Sequence, residues 1–379
     1  MSYHIGFLMD QIAGHVTNYH NLRSVTNQDP EIRADWYELY YYKDGGMIEK
    51  VRDRLLPFIP TYFSGILRGA TDMRRGLKQA SYDAIFTNAS VAVFFSRDFR
   101  RVPTMIDLDS TPLQIDQMEA YTAKRDPKLI EVLKFQLFRN MLHSATLLQP
   151  WSRWAKQSII DDYGVPAEKI VVNPPGVNLH YWQPRSDARA KATDRPLRIL
   201  FVGGDFLRKG GNQLLAWYRT QDPAHYELHV VTREPVDPRP GLHIYHNMQP
   251  NSEELLRLYQ QSDLFILPSL GECFGIATVE AMAAGLPVIA SDVGGTADII
   301  EPGRNGYIVP AGSVAEIGHA VSAISRDPNL RHSMGIQSRQ MAEERFDLEK
   351  NARLSLSYLK QIAQSRSAQY HDIKTSAGT

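Results

Sequence analysis

Two acidic side chains, Glu272 and Glu280, flank the heptapeptide Cys273-Phe274-Gly275-Ile276-Ala277-Thr278-Val279. Their neighbours bound what each carboxylate can do. Glu280 lies among Val279, Ala281, Met282, Ala283 and Ala284, the composition of a largely buried helix. A carboxylate there is costly unless strong donors satisfy it, and ribose hydroxyls or a core arginine would both serve. Glu272 falls in the loop before that helix, where it can accept from sugar hydroxyls. A plainer reading stands beside this one: Glu272 caps the helix and Glu280 makes an internal ion pair. Spacing alone does not separate the two.

A second group follows the apolar run Leu197-Arg198-Ile199-Leu200-Phe201-Val202. It reads Gly203-Gly204-Asp205-Phe206-Leu207-Arg208-Lys209-Gly210-Gly211. Glycines let backbone approach a ligand closely, and an Arg-Lys pair ahead of a helix can hold a diphosphate. The alternative for Arg208 and Lys209 is a solvated loop. The pattern is neither a Walker A loop nor Gly-x-Gly-x-x-Gly, and no such fingerprint follows the first strand of the chain. That argues against a dehydrogenase. The helix start at Phe274-Gly275-Ile276 offers free N–H groups and partial positive charge to an anion. One cationic loop and one helix N-terminus can flank a single diphosphate.

The elements that must position these groups read as alternating short strands and helices, the pattern of a doubly wound parallel sheet. Leu264-Phe265-Ile266-Leu267, closed by Pro268-Ser269, predicts a buried strand, and the helix runs from about Gly275 to Ala284, stopped by Gly285 and Pro287. Further strands are expected at 197–202, 227–231, 243–245 and 287–290, with helices from about Gly211 to Arg219 and from a capping box at Asn251-Ser252-Glu253-Glu254. The first half predicts strands at 5–9, 36–40, 84–87, 103–106, 145–148 and 169–172, and a helix from Asp126 to His143. Two such α/β domains are expected: 1–184, a polar linker at 185–195, 196–350, and a final helix at 351–379 with a frayed tail. Ligands collect beyond the carboxyl ends of parallel strands and at domain interfaces.

Composition narrows the classes. Lys plus Arg and Asp plus Glu are balanced at 42 each in 379 residues, so no basic field argues for nucleic acid. The single cysteine, Cys273, excludes intrachain disulfides and cysteine-cluster metal sites and fits a reducing cytoplasm. Met1 to Asp10 lacks the pattern of a signal peptide, and no apolar stretch reaches the roughly 18 residues of a membrane span. Residues 51–80 mix Leu55, Leu56, Phe58, Ile59, Tyr62, Phe63, Ile66 and Leu67 with Arg68, Arg74, Arg75 and Lys78. This is either a surface for peripheral contact with anionic lipid or, the favoured reading, a segment whose apolar side packs on the sheet.

Taken together, Phe201-Val202-Gly203, Leu267-Pro268-Ser269, Glu272-x7-Glu280-Ala281-Met282-Ala283-Ala284-Gly285, Pro287-Val288 and Gly294-Gly295 resemble the retaining family-4 glycosyltransferases with the GT-B fold. The likeness covers residues 170 to 320 well and the first half by pattern only. It implies two Rossmann-like domains facing across a cleft and a nucleotide-sugar donor as substrate, with no cofactor and no metal. Glu280 would bind the ribose and Glu272 the transferred sugar, while Lys209 with Arg208 would neutralise the diphosphate. Backbone at Gly203, Phe274, Gly275 and Ile276 would add donors, Asn247 and Met248 would meet the base, and Gly14 would let backbone approach the donor. The acceptor would be a glycan, a lipid-linked sugar or a small molecule.

Two positions depart from the family pattern. Gly204 stands where an arginine is usual, and Asp109 where a histidine often faces the sugar. Asp109 either orients a sugar hydroxyl or receives the acceptor proton, or else it is a turn residue before Pro112. Asp107-Leu108-Asp109 spells the D-x-D of metal-dependent glycosyltransferases and is read as coincidence, because Arg208 and Lys209 already supply positive charge. Other readings with the same architecture are an epimerase, a phosphorylase, or a binder without catalysis.

Overall fold

The computed structural model describes residues 2–12, 14–41, 61–121, 126–184 and 195–376. The expected linker, 185–195, lies almost wholly outside the described residues.

Five strands, β1 (Tyr3–Asp10), β2 (Ile32–Leu39), β3 (Ala84–Thr87), β4 (Thr104–Leu108) and β5 (Leu147–Pro150), form a parallel sheet in the order β2-β1-β3-β4-β5. The strand order reverses between β1 and β3, so the loops after these two strands open a crevice. The central strands β3 and β4 are buried along their whole length, as strands covered on both faces of a parallel sheet are.

Six strands make the second sheet: β6 (Leu197–Val202), β7 (Tyr226–Val231), β8 (Leu242–Tyr245), β9 (Leu264–Leu267), β10 (Val288–Ser291) and β11 (Gly306–Val309). Their order, β11-β10-β9-β6-β7-β8, places the reversal between β6 and β9. The Gly203-to-Lys209 loop and the Pro268-to-Gly275 loop leave the sheet at this point, which is why groups some sixty positions apart in sequence can share one ligand.

Most expected elements are present with shifts of one or two residues, but three strands differ, the first being β2, which begins at Ile32, four residues before the expected start at 36. Lys169–Val172 is not a strand; it contributes a single bridge, Leu148 to Ile170, beside β5. Val171 and Asn173 donate backbone N–H groups to Leu148 and Pro150, and then Pro174-Pro175 ends the pairing because proline has no N–H to give. Strand β11 was not anticipated: it is four residues long, half-buried, and paired on one side only.

The long C-terminal helix, Leu348–Ser376, crosses back to the first sheet. Leu356, Leu359, Ile362 and Ala363 pack with Ile5, Phe7, Met9, Tyr19 and Leu22 in one apolar cluster. Lys360 adds ion pairs to Asp29 and Glu31. The two sheets are therefore tied by a helix as well as by loop contacts.

Helix Thr61–Gln79 turns Ile66, Ala70, Met73 and Leu77 onto the first sheet and leaves Arg74, Arg75 and Lys78 exposed. This is the sheet-packed arrangement for the described part; Leu55, Leu56, Phe58 and Ile59 fall outside the described residues. Among those described, no helix is long and apolar enough to cross a membrane.

Candidate functional site

Lys209 and Glu272 meet at the β6/β9 reversal. The Lys209 ammonium donates to the Glu272 carboxylate, and both side chains are mostly shielded, 16% and 13% exposed. An ammonium has three N–H donors, so this pair leaves Lys209 further hydrogen-bonding capacity. Helix Ile276–Ala283 begins immediately beyond, with Gly275 as its N-cap at φ 91° and no side chain closing the cap. Only glycine adopts that backbone readily, and the open cap leaves N–H groups facing the loop. The β10 loop locks the arrangement from the other side: a β-carbon on Gly294 would stand 2.0 Å from the Glu272 carbonyl oxygen. Behind the Glu272 loop a small crevice is lined by Ser269, Glu272, Phe274, Gly275 and Thr278. The buried Ser269 hydroxyl has no hydrogen-bond partner among the described residues.

Glu280 is 8% exposed and sits on the buried face of the helix. The internal ion pair allowed by the sequence does not form: among the described residues the carboxylate's partner is the Tyr259 hydroxyl, which donates at 3.1 Å. Burial pushes Glu280 up to about 7, with the Tyr259 hydrogen bond lowering it only in part. A carboxylate has about four lone-pair sites, so Glu280 keeps strong acceptor capacity unused. Tyr259 was not singled out in the sequence, yet its signal is there. In helix Glu253–Gln261, Leu255, Leu258 and Tyr259 form the buried stripe, so the tyrosine faces the sheet.

Arg208 behaves differently from Lys209. Its Nε donates to Asp205 at 2.9 Å, and its Nη1 donates to the Tyr121 hydroxyl at 2.8 Å and the Gly271 carbonyl at 3.0 Å. The guanidinium also lies 4.7 Å from the centre of the Tyr121 ring. Three of its donor contacts are thus spent on joining the β6 loop, the β9 loop and the first sheet's domain. Tyr121 is a further contact the sequence did not reveal, because nothing local to it marks a partner 87 positions away.

The first domain brings its own groups to the same gap. A β-carbon on Gly14 would lie 3.1 Å from Ile276 Cδ1, so the start of helix Gly14–Thr26 abuts the start of helix Ile276–Ala283. Trp151 meets Phe274 edge-on at 5.9 Å, and Arg153 pairs with Asp298. Asp109, just past β4, accepts from Ser110 at 2.9 Å and lies 4.0 Å from His15 Nε2. The Asn88 amide bonds His15 Nδ1 at 2.9 Å, which leaves the ring proton on Nε2, toward Asp109. Burial, with Asp109 the second cause, pushes the Cys273 thiol up to about 12, so it is no nucleophile at neutral pH.

Asp107 is separated from this gap by its own hydrogen bonds. It is 1% exposed and accepts from Gln149, Trp151 and Asn18 at 2.9, 2.9 and 3.2 Å. Asp107 and Asp109 do not form a common acidic pair. The group of metal-type side chains found among the described residues is instead Glu227, His229 and His243, on β7 and β8. Those residues lie along the strands, and the crevice lies beyond their ends. Gly203 and Gly204 follow β6 directly, and Asn247, at φ 59°, and Met248 follow β8 at the same end of the sheet.

Two family models match the chain: Glycosyltransferase Family 4 over residues 15–181 and Glycosyl transferases group 1 over residues 241–341. A D-inositol 3-phosphate glycosyltransferase of Streptomyces bingchenggensis is 30% identical over 220 residues, 51% of this chain and 48% of that protein. An MMP alpha-(1->4)-mannosyltransferase of Mycolicibacterium hassiacum is 31% identical over 199 residues, 50% of this chain and 47% of that protein. The chain thus spans about half the length of the relatives it matches. Among solved structures, sucrose-phosphate synthase from Thermosynechococcus elongatus superposes with a TM-score of 0.77 at 18% identity, covering 96% of this chain and 100% of the other. Anabaena Alr3699/HepE in complex with UDP-glucose superposes at 0.68 and 16% identity, covering 97% and 100%. These likenesses give the fold, two parallel-sheet α/β domains of the GT-B type, and the two matched models together take in more than half of the chain. Residues 15–181 thus match Glycosyltransferase Family 4 and residues 241–341 the Glycosyl transferases group 1 family, each on one domain of a GT-B glycosyltransferase fold.

Proposed function

We propose that this protein transfers a sugar from a nucleoside diphosphate sugar to an acceptor hydroxyl, with retention at the anomeric carbon and without a metal ion. The observation that carries the reading is the Lys209–Glu272 pair at the β6/β9 reversal, with the half-satisfied Glu280 carboxylate two turns further along the adjoining helix. Lys209 and the open start of helix Ile276–Ala283 face the diphosphate, Glu272 takes hydroxyls of the transferred sugar, and Glu280 takes ribose hydroxyls. Asn247 and Met248, at the end of β8, meet the base, and Gly203 and Gly14 allow close backbone approach.

The chemistry follows from where charge develops. As the bond from the anomeric carbon to the diphosphate oxygen breaks, negative charge grows on the leaving phosphate, and a fixed ammonium with amide N–H groups lowers that barrier. The acceptor oxygen attacks the same face of the sugar, and its proton passes to the departing phosphate. Asp109, backed by His15, orients a hydroxyl on the first domain's side of the gap. Arg208 holds the β9 loop against Tyr121, which keeps water from the reacting centre. A divalent cation is not needed in this scheme because Lys209 and the helix start supply the positive potential, while Asp107 is committed to Gln149, Trp151 and Asn18.

HepE was crystallised with UDP-glucose, which makes UDP the first base to try. The test is a thermal-shift screen with UDP, GDP, ADP and their sugars. A ligand at 100 times its dissociation constant adds about 2.7 kcal/mol of stability, which is easily seen. Glu280→Ala abolishes the shift if the ribose assignment holds. An undiminished shift in that variant refutes it.

A further inference from the structure

Gly204 stands at the position where the family resemblance expects an arginine, and the structure puts another arginine over it. A β-carbon on Gly204 would lie 3.4 Å from Arg233 Nε and 3.7 Å from its Cδ and Cζ. Gly203, one residue earlier, is roofed by Lys209, whose Cβ and Cγ would stand 2.9 Å from a β-carbon there. Two successive glycines at the end of β6 thus each carry a cationic side chain from elsewhere. Lys209 comes from the end of the same loop, and Arg233 comes from the loop after β7.

Arg233 is held in place from both sides. Thr232 donates its N–H to the Tyr245 carbonyl at 3.1 Å, continuing the β7–β8 ladder. The Glu234 carboxylate accepts the Phe206 N–H at 3.0 Å, which pins the β7 loop to the β6 loop. Glu234 also donates its own N–H to the Thr232 hydroxyl at 3.3 Å. Between these anchors the Arg233 side chain is exposed, and it has no hydrogen bond, ion pair or ring contact among the described residues. The contrast with Arg208, whose guanidinium is tied to Asp205, Tyr121 and Gly271, is direct.

We infer that Arg233 is the second cation of the diphosphate site, taking the place of the arginine that Gly204 lacks. This rests on the proposed donor site and adds to it. A planar guanidinium can bind two phosphate oxygens at once, whereas Lys209 acts as a point charge, so the two would divide the diphosphate between them. Gly204 offers the phosphate no side chain of its own, and the Arg233 guanidinium lies over it at contact distance.

The test measures binding of UDP, GDP and ADP, and of the corresponding monophosphates and nucleosides, by calorimetry on the full chain. Wild type is expected to prefer one diphosphate over its nucleoside. Arg233→Ala is expected to weaken that diphosphate roughly 10- to 100-fold, as loss of a charge-assisted contact does, and to leave the nucleoside unchanged. Arg233→Lys should recover part of the loss, and Gly204→Arg in the Arg233→Ala background should recover most of it. Arg239→Ala, at another exposed arginine of the same loop, is the control expected to bind like wild type. Wild-type affinity for the diphosphate in Arg233→Ala overturns the inference and leaves the donor site standing. No preference for any diphosphate in the wild type overturns both.

Discussion

The sharpest consequence of a buried, half-satisfied Glu280 is a pH dependence of stability that its amide isostere lacks. Burial raises the carboxyl from its ordinary 4.5 to about 7. A group whose folded-state value exceeds the unfolded one binds its proton more tightly in the native state, so stability falls as pH rises from about 4.5 to about 7 and stays low above that. At about 1.4 kcal/mol per unit, the native state bears on the order of 3 kcal/mol at pH 8 that it does not bear at pH 4. Glu280→Gln keeps the shape and cannot ionise. Melting temperatures of the ligand-free proteins should therefore nearly coincide near pH 5 and separate by several degrees at pH 8, with the variant the more stable. Tyr259→Phe should move the other way, destabilising chiefly above pH 7, because it removes the hydrogen bond that supports the charged form. Asp107, raised to about 6 by burial, pushes in the same direction, so Asp107→Asn serves as the control that apportions the two. The same logic reaches the proposed ligand: ribose hydroxyls at Glu280 would satisfy the carboxylate and lower its pKa, so nucleotide affinity should rise with pH up to about 7. Parallel melting curves for wild type and Glu280→Gln across pH 5 to 8 would refute the reasoning, since they would mean the charge is well solvated where it sits.

Three further outcomes follow from the geometry. Lys209→Ala should lower turnover roughly 10²–10³-fold, the effect of removing one donor at a developing oxyanion, with a smaller change in KM; initial rates of nucleotide release measure it. Transfer activity should be unchanged in EDTA, and loss restored by a divalent ion would overturn the metal-free scheme. Leu359→Ala should destabilise by about 2–5 kcal/mol, because Leu359 is fully buried where the C-terminal helix packs on the first sheet; denaturant unfolding reads this directly.

What the sequence made legible was what its local pattern could encode. Leu264–Leu267 is an unbroken apolar run and Leu197–Val202 is apolar but for Arg198, each has turn residues behind it, and both are strands at the expected places. The nearness of Lys209 to Glu272 was also readable, because both follow strands and both strands border the reversal. Partnerships made across the gap were not readable. Arg208 looked like a free cation beside Lys209, and only the tertiary structure turns it toward Tyr121 and Gly271. Arg233 drew no attention, since Thr232 to Pro240 has no apolar period, and its placement depends on a hydrogen bond from Phe206 to Glu234. The choice between ribose ligand and internal ion pair at Glu280 was open in the sequence for the same reason. Which side chain faces a buried carboxylate is a question of packing, and among the described residues it is Tyr259 on a neighbouring helix.

The strand orders of the two sheets explain why the proposed site draws on both domains. Each sheet has one reversal, β1/β3 in the first and β6/β9 in the second, and each reversal exposes loops at the carboxyl ends of its strands. The two crevices face each other, because the contacts between domains come from those ends: Gly14 against Ile276, Trp151 against Phe274, and Tyr121 against Arg208. In the proposed reading a diphosphate at β6/β9 would present its sugar toward β4 and Asp109, and an acceptor would enter from the first domain. Neither half alone brings Asp109 within reach of the Glu272 loop. A separated second sheet would keep Lys209, Glu272 and Glu280, and so nucleotide recognition, while losing transfer. The length of the C-terminal helix then has a physical role. By burying Leu356, Leu359 and Ile362 against the first sheet, it fastens the two domains together and holds the two crevices face to face.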